Sequence, residues 1–142
     1  MPLPQDISPV NSELMDSIVR TSQMDWIPYQ DETGFMKVLS YRPESGQWSV
    51  LFKWLKGHVA PPHKHLTSAY AFIISGKLKV RDEIFDAGDY IYEPNGMVHD
   101  ATEALEDTVY LFHSEGPVLY FDDNSFTAYT GWEEIKKLSE QN

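Results

Sequence analysis

Gly57-His58-Val59-Ala60-Pro61-Pro62-His63-Lys64-His65 is the stretch from which the architecture can be read. Side chains of an extended strand alternate between faces, so residues two apart point the same way. His63 and His65 therefore present two imidazoles to one side, and Lys64 faces the other. Two imidazoles one strand repeat apart can share a metal ion. A third is offered downstream: Gly88-Asp89-Tyr90-Ile91-Tyr92-Glu93-Pro94-Asn95-Gly96-Met97-Val98-His99 ends in a histidine behind a Pro-x-Gly turn. The spacing predicts a metal site built from His63, His65 and His99.

Around these two stretches the chain alternates short aromatic and β-branched runs with Gly, Pro, Asp and Asn. Strands are predicted over 26–29, 35–41, 48–56, 63–74, 77–80, 83–85, 90–92, 99–101, 108–113 and 118–121. Turn signals such as Glu32-Thr33-Gly34, Ser75-Gly76 and Pro94-Asn95-Gly96 separate them. Many short strands with regular turns make an all-β sandwich or barrel. Residues 1–22 read as an arm with a short helix over 12–20, capped by Ser12 and carrying Leu14, Met15 and Ile18 on one face. Residues 23–130 form the barrel. Residues 131–142 hold a C-terminal helix, with Trp132, Ile135 and Leu138 at three-residue steps and Glu133 and Glu134 in its first turn, where the helix dipole favours acids. That stripe suits packing on the barrel or on a partner subunit.

Composition narrows the function. At 142 residues the chain fits one domain, and 42% hydrophobic content can fill its core. The net charge is −11, so binding to nucleic acid or to an anionic membrane is not expected. There are no cysteines, which excludes disulfides and thiolate metal sites and fits a cytoplasmic protein. The N-terminus lacks the basic and apolar regions of a signal peptide. The longest apolar run, Ala69-Tyr70-Ala71-Phe72-Ile73-Ile74, is too short to span a bilayer.

Both histidine motifs resemble those of the cupins. Gly57, five residues, His63-Lys64-His65 and Gly76 follow the first cupin motif; Gly88, five residues, Pro94-Asn95-Gly96, two residues and His99 follow the second, with Glu103 in place of its terminal Asn. The resemblance implies a single-domain jelly-roll barrel with the metal inside. The first motif's glutamate is missing: Ala69 stands there, between Ser68 and Tyr70. Cupins with three histidines and no such glutamate form a smaller set. The chain is similar to the acetylacetone-cleaving dioxygenases and to the related 2,4'-dihydroxyacetophenone dioxygenases. That resemblance implies an Fe(II) enzyme splitting a carbon–carbon bond with O₂, assembled as a homodimer or homotetramer. It also implies catalytic roles for Glu93, immediately before the second motif's proline, for Arg81 and for Thr102, in a network around the histidines.

The chemistry is consistent with that reading. Three neutral imidazoles hold Fe, Zn, Ni or Cu without strong preference. Without a ligating carboxylate, an Fe(II) site keeps a charge near +2 and favours an anionic chelate such as the enolate of a β-diketone, or an α-hydroxyketone. Glu93 can act on substrate deprotonation, orient a histidine, accept from Arg81, or be an exposed strand-end carboxylate. Arg81 can instead form a surface pair with Asp82 or Glu83, and Thr102 can be an ordinary strand threonine. His58 is expected to face solvent, and His113, which shares the parity of Val109 and Leu111, is a candidate to line the interior. Tyr70, Phe72, Tyr92, Tyr110 and Phe112 are candidate pocket walls or simply core. The alternative to an enzyme is a zinc-holding sensor cupin, similar to domains of some anti-sigma factors, or a small-ligand-binding cupin with no redox role.

Overall fold

The computed structural model describes residues 16–141. It is an all-β domain closed by one short helix. Fourteen strands run in chain order: β1 Ile27–Gln30, β2 Gly34–Tyr41, β3 Trp48–Trp54, β4 Val59–Ala60, β5 His63–His65, β6 Ala69–Ser75, β7 Lys77–Val80, β8 Glu83–Asp86, β9 Tyr90–Glu93, β10 Val98–His99, β11 Thr102–Ala104, β12 Thr108–Ser114, β13 Val118–Phe121 and β14 Phe126–Thr130. They form three antiparallel sheets, in the orders β1-β2-β3-β12-β6-β9, β10-β5-β13-β14 and β4-β11-β7-β8. The helix α1, Trp132–Ser139, follows. No helix among the described residues is long and apolar enough to cross a membrane.

The barrel interior is written in the alternation of its longest strands. In β3, Trp48, Val50, Phe52 and Trp54 are buried and the residues between them are not; in β12 the inward set is Thr108, Tyr110, Phe112 and Ser114. The two strands pair so that Phe52 lies opposite Tyr110 and Val50 opposite Phe112. Directly opposed residues share a face, so these aromatic pairs pack against each other inside. Phe52 meets Tyr110 at 5.2 Å and Phe112 at 5.6 Å between ring centroids. Such contacts add roughly 0.5–1.5 kcal/mol each beyond burial.

Helix α1 covers one end of this core. Ile135 is fully buried, Trp132 stacks on Tyr41, and the Glu134 carboxylate accepts from the Gly131 N–H at 2.9 Å. Packing on β2 and β14 of its own chain is thus the use made of the Trp132, Ile135 and Leu138 stripe.

Several boundaries differ from the sequence reading. The predicted strand over 63–74 is two strands in different sheets, because residues 66–68 carry the chain from β5 to β6. Of the run over 99–101 only His99 is in a strand, at the end of β10. β4, β11 and β14 were not foreseen. The predicted helix over 12–20 begins outside the described residues; residues 16–20 are not helical, and a single 3₁₀ turn, Thr21–Gln23, follows them. His58 does not face solvent. Its side chain is buried against Trp54, at 4.8 Å between rings, and its Nδ1–H donates to Thr33 Oγ1 at 2.7 Å. Burial lowers its pKa, against a smaller upward pull from Asp31.

Candidate metal centre

His63 and His65 stand on β5, and β10 lies beside it with His99 directly opposite His63. Strand alternation and register together therefore place three imidazoles on one inner face. One ring nitrogen from each of His63, His65 and His99 lies within 4.8 Å of the other two. His65 and His99 are buried and His63 is partly so.

The tautomer of His63 follows from its neighbour. Nδ1 lies 3.0 Å from the Pro61 carbonyl oxygen, which can only accept, so Nδ1 carries the proton and Nε2 keeps its lone pair. Burial is the main influence on His63 and pushes it down to about 4, which keeps that lone pair free at neutral pH.

Glu93 completes the group. Its Oε1 accepts from His99 Nε2 at 2.7 Å, and its Oε2 lies 2.8 Å from His65 Nε2. The second contact is short but poorly directed for a hydrogen bond, so Glu93 Oε2 and His65 Nε2 both remain without a hydrogen-bond partner. Burial, the largest influence on Glu93, pushes its pKa up. The contacts from His65 and His99 outweigh it and hold the group at about 2, ionised.

The register explains how this carboxylate arrives. Glu93 on β9 is paired directly with Ala69 on β6. Ala69 is the residue that stands where a glutamate would complete the first histidine motif. A carboxylate absent from one strand is thus supplied by its cross-strand neighbour on the same face, and the small Ala69 leaves it room. The sequence reading placed Glu93 in an outer network with Arg81 and Thr102; the structure brings it onto the histidines themselves.

The other candidates divide. Thr102 is buried on β11 and lines the same cavity. Arg81 is not brought to the site: it occupies the exposed β7–β8 turn in the left-handed region, at φ +55°. The cavity beside the histidines measures about 60 Å³. Tyr110 and Phe112 line it as expected, but Tyr70, Phe72 and Tyr92 do not. Phe72 and Tyr92 lie on the outer face, 43% and 60% exposed, and Tyr70 stacks on His113 at 4.8 Å. His113 is on that outer face too, held by Ser49 and Glu115. Sequence reading missed Tyr29, Trp54 and Tyr120 as lining residues. The inward parity of β3 was a usable signal for Trp54; no local pattern marked Tyr29.

The residues fit a metal ion. Among the described residues, His65 Nδ1 and Nε2, His99 Nδ1 and Glu93 Oε2 are buried polar atoms with no hydrogen-bond partner. Each such atom costs about 1–3 kcal/mol, and folded proteins carry few of them. Their concentration on His65, His99 and the adjoining Glu93, beside the free Nε2 of His63, fits a site in which imidazole nitrogens hold a divalent transition metal.

Comparison with known proteins gives the family and the fold. A family model described as "ChrR Cupin-like domain" matches residues 14–119. Among solved structures, a candidate acetylacetone dioxygenase from Methylibium petroleiphilum PM1 is similar at 26% identity and a TM-score of 0.83, with 92% of this chain and 98% of that one covered. An acetylacetone dioxygenase from Acinetobacter johnsonii shares the fold at 22% identity and a TM-score of 0.82, covering 95% and 99%. The anti-sigma ChrR of Rhodobacter sphaeroides, solved in complex with SigE, shares it at 18% identity and a TM-score of 0.58, covering 67% and 51%. No curated protein matches the chain.

Proposed function

The chain belongs to the family of ChrR cupin-like domains, and from that premise we propose that it is a non-haem Fe(II) dioxygenase cleaving a carbon–carbon bond of a small β-diketone. The observation that carries the reading is the ionised Glu93 carboxylate set against His65 and His99 at the wall of a mostly apolar cavity. A purely structural site needs no cavity beside it, whereas a substrate site does. The likeness to the Methylibium petroleiphilum protein supports the same reaction class.

His63, His65 and His99 would hold the iron, which when bound supplies a Lewis-acidic centre for a chelating enolate and for O₂ chemistry. The chain's own part is proton handling and exclusion of water. Forming the enolate removes a proton from the carbon between the two carbonyls, and Glu93 is the carboxylate placed to receive it. Its low pKa comes from contacts with the two imidazoles. The carboxylate is therefore ionised and free to accept that proton. Trp48, Phe52 and Phe112 wall the cavity with apolar surface. At about 60 Å³ it has room for a handful of water-sized atoms, which favours an acyclic diketone over an aryl hydroxyketone.

The test is O₂ uptake by protein loaded anaerobically with Fe(II) and offered pentane-2,4-dione, with zinc-loaded protein as control. Uptake is expected with iron only, and His99→Ala is expected to lose bound iron and uptake together. Iron bound with no uptake on any diketone would sink the oxygenase reading in favour of a metal-holding sensor. Full activity in His99→Ala would remove the three-histidine site.

A further inference from the structure

The cavity has a second polar feature, made of phenols. Tyr29 on β1, Tyr110 on β12 and Tyr120 on β13 line the space that the three histidines line. The Tyr29 ring packs on Phe52 at 5.2 Å, and Tyr110 stands edge-on to Trp54 at 5.1 Å. Trp54 is the pivot: its Nε1–H donates to the Tyr29 hydroxyl oxygen at 2.6 Å. An indole N–H can only donate, so this bond occupies a lone pair of the phenol and leaves the phenol's own proton to be given elsewhere. Trp54 thus fixes Tyr29 as a donor.

Tyr110 is buried among aromatic rings, where phenylalanine would pack as well without a polar atom to satisfy. Burial raises both phenols well above the ordinary tyrosine range, so both stay protonated and able to donate. Glu93 acts on Tyr110 in the same upward direction. A diketone with hydrocarbon ends offers these hydroxyls no oxygen beyond the pair that would chelate the metal.

We propose that Tyr29, oriented by Trp54, and Tyr110 donate hydrogen bonds to a substrate oxygen beyond the pair that chelates the metal, so that the site selects a diketone bearing an additional hydroxyl or carbonyl. This rests on reading the site as a diketone site. Tyr29 and Tyr110 are then specificity-determining residues and Trp54 a positioning residue. Sites built to hydrogen-bond a substrate group reject the analogue that lacks it, because the buried donors are left unpaired.

A matched pair of ligands isolates the effect. 1-Hydroxypentane-2,4-dione and hexane-2,4-dione differ only in carrying a hydroxyl or a methyl at one end, and zinc-loaded full-length protein binds them without turnover. Calorimetric titration of wild type is expected to show the hydroxylated ligand bound about tenfold or more tightly. In Tyr29→Phe and Tyr110→Phe the ratio is expected to collapse to about twofold or less, the hydroxylated ligand losing affinity and hexane-2,4-dione gaining it as the unpaired donor is removed. Equal affinities in the wild type, or a ratio that survives both substitutions, overturn the inference. If iron-loaded protein still consumes O₂ with pentane-2,4-dione in that case, the diketone reading stands alone. If zinc is bound and neither diketone binds, both fall together.

Discussion

Glu93 and Ala69 face each other across two paired strands, and that one cross-strand relation decides what the site can do. A carboxylate on β9 is a neighbour of the metal ligands without belonging to either histidine motif's ligand positions. Removing its charge while keeping its shape separates its roles. Glu93→Gln is expected to retain metal and to lower kcat by about a hundredfold or more, the ordinary scale of a lost general base, with a smaller change in KM. Wild-type kcat in that variant, at equal metal content, would leave Glu93 no part in proton transfer. Arg81→Ala is the contrasting case, expected to keep metal content and kcat within about twofold, since the side chain projects from an exposed turn. At this scale the sequence disclosed the histidines, because the i, i+2 rule is local. It could not disclose that Glu93 opposes Ala69, because register is a property of two strands; the turn at Arg81 was legible between the strands predicted over 77–80 and 83–85, but its distance from the histidines was not.

Among the elements, the β6–β7 connection has the tightest tolerance. Gly76 adopts φ +92°, and a Cβ there would come within 2.4 Å of the Asp107 carbonyl oxygen and of Thr108 Oγ1. Both the left-handed backbone and the missing space require glycine. Gly76→Ala is expected to destabilise by about 2 kcal/mol or more, read as a lowered midpoint in urea with an unchanged slope. A midpoint equal to wild type would mean that the turn relaxes freely. Ser75-Gly76 was legible as a turn for that reason. β14 was not legible: four of its five residues are exposed, so its sequence shows no inward and outward alternation. The division of 63–74 was hidden differently. Leu66-Thr67-Ser68 joins the two halves without a glycine or proline, so only their assignment to separate sheets distinguishes them.

For the whole molecule, the histidine site is a charge store whose filling depends on pH. In metal-free protein His63 titrates near 4 rather than 6.5. The unfolded chain therefore takes up a proton that the folded chain refuses. Its contribution is complete above pH 6.5 and is lost as the pH falls toward 4, by roughly 3 kcal/mol at most. Glu93 adds a lower window, present above 4.5 and lost as the pH falls through 2. Urea unfolding of metal-free protein between pH 7.5 and 4.5 is expected to show declining stability, with a shallower decline in His63→Phe. Identical slopes would assign the decline to other groups, with His58 next in line because its pKa is also lowered by burial.

The three histidines belong to strands of one sheet, while Glu93 is carried by β9, the outermost strand of another, bonded on one side only to β6. A strand with a single hydrogen-bonded neighbour separates at lower free energy than the interior of its sheet. Whatever keeps Glu93 turned inward also keeps that border strand shut. The contacts of Glu93 with His65 and His99 are thus a seam between two sheets, tying the border strand to the strands that carry the histidines.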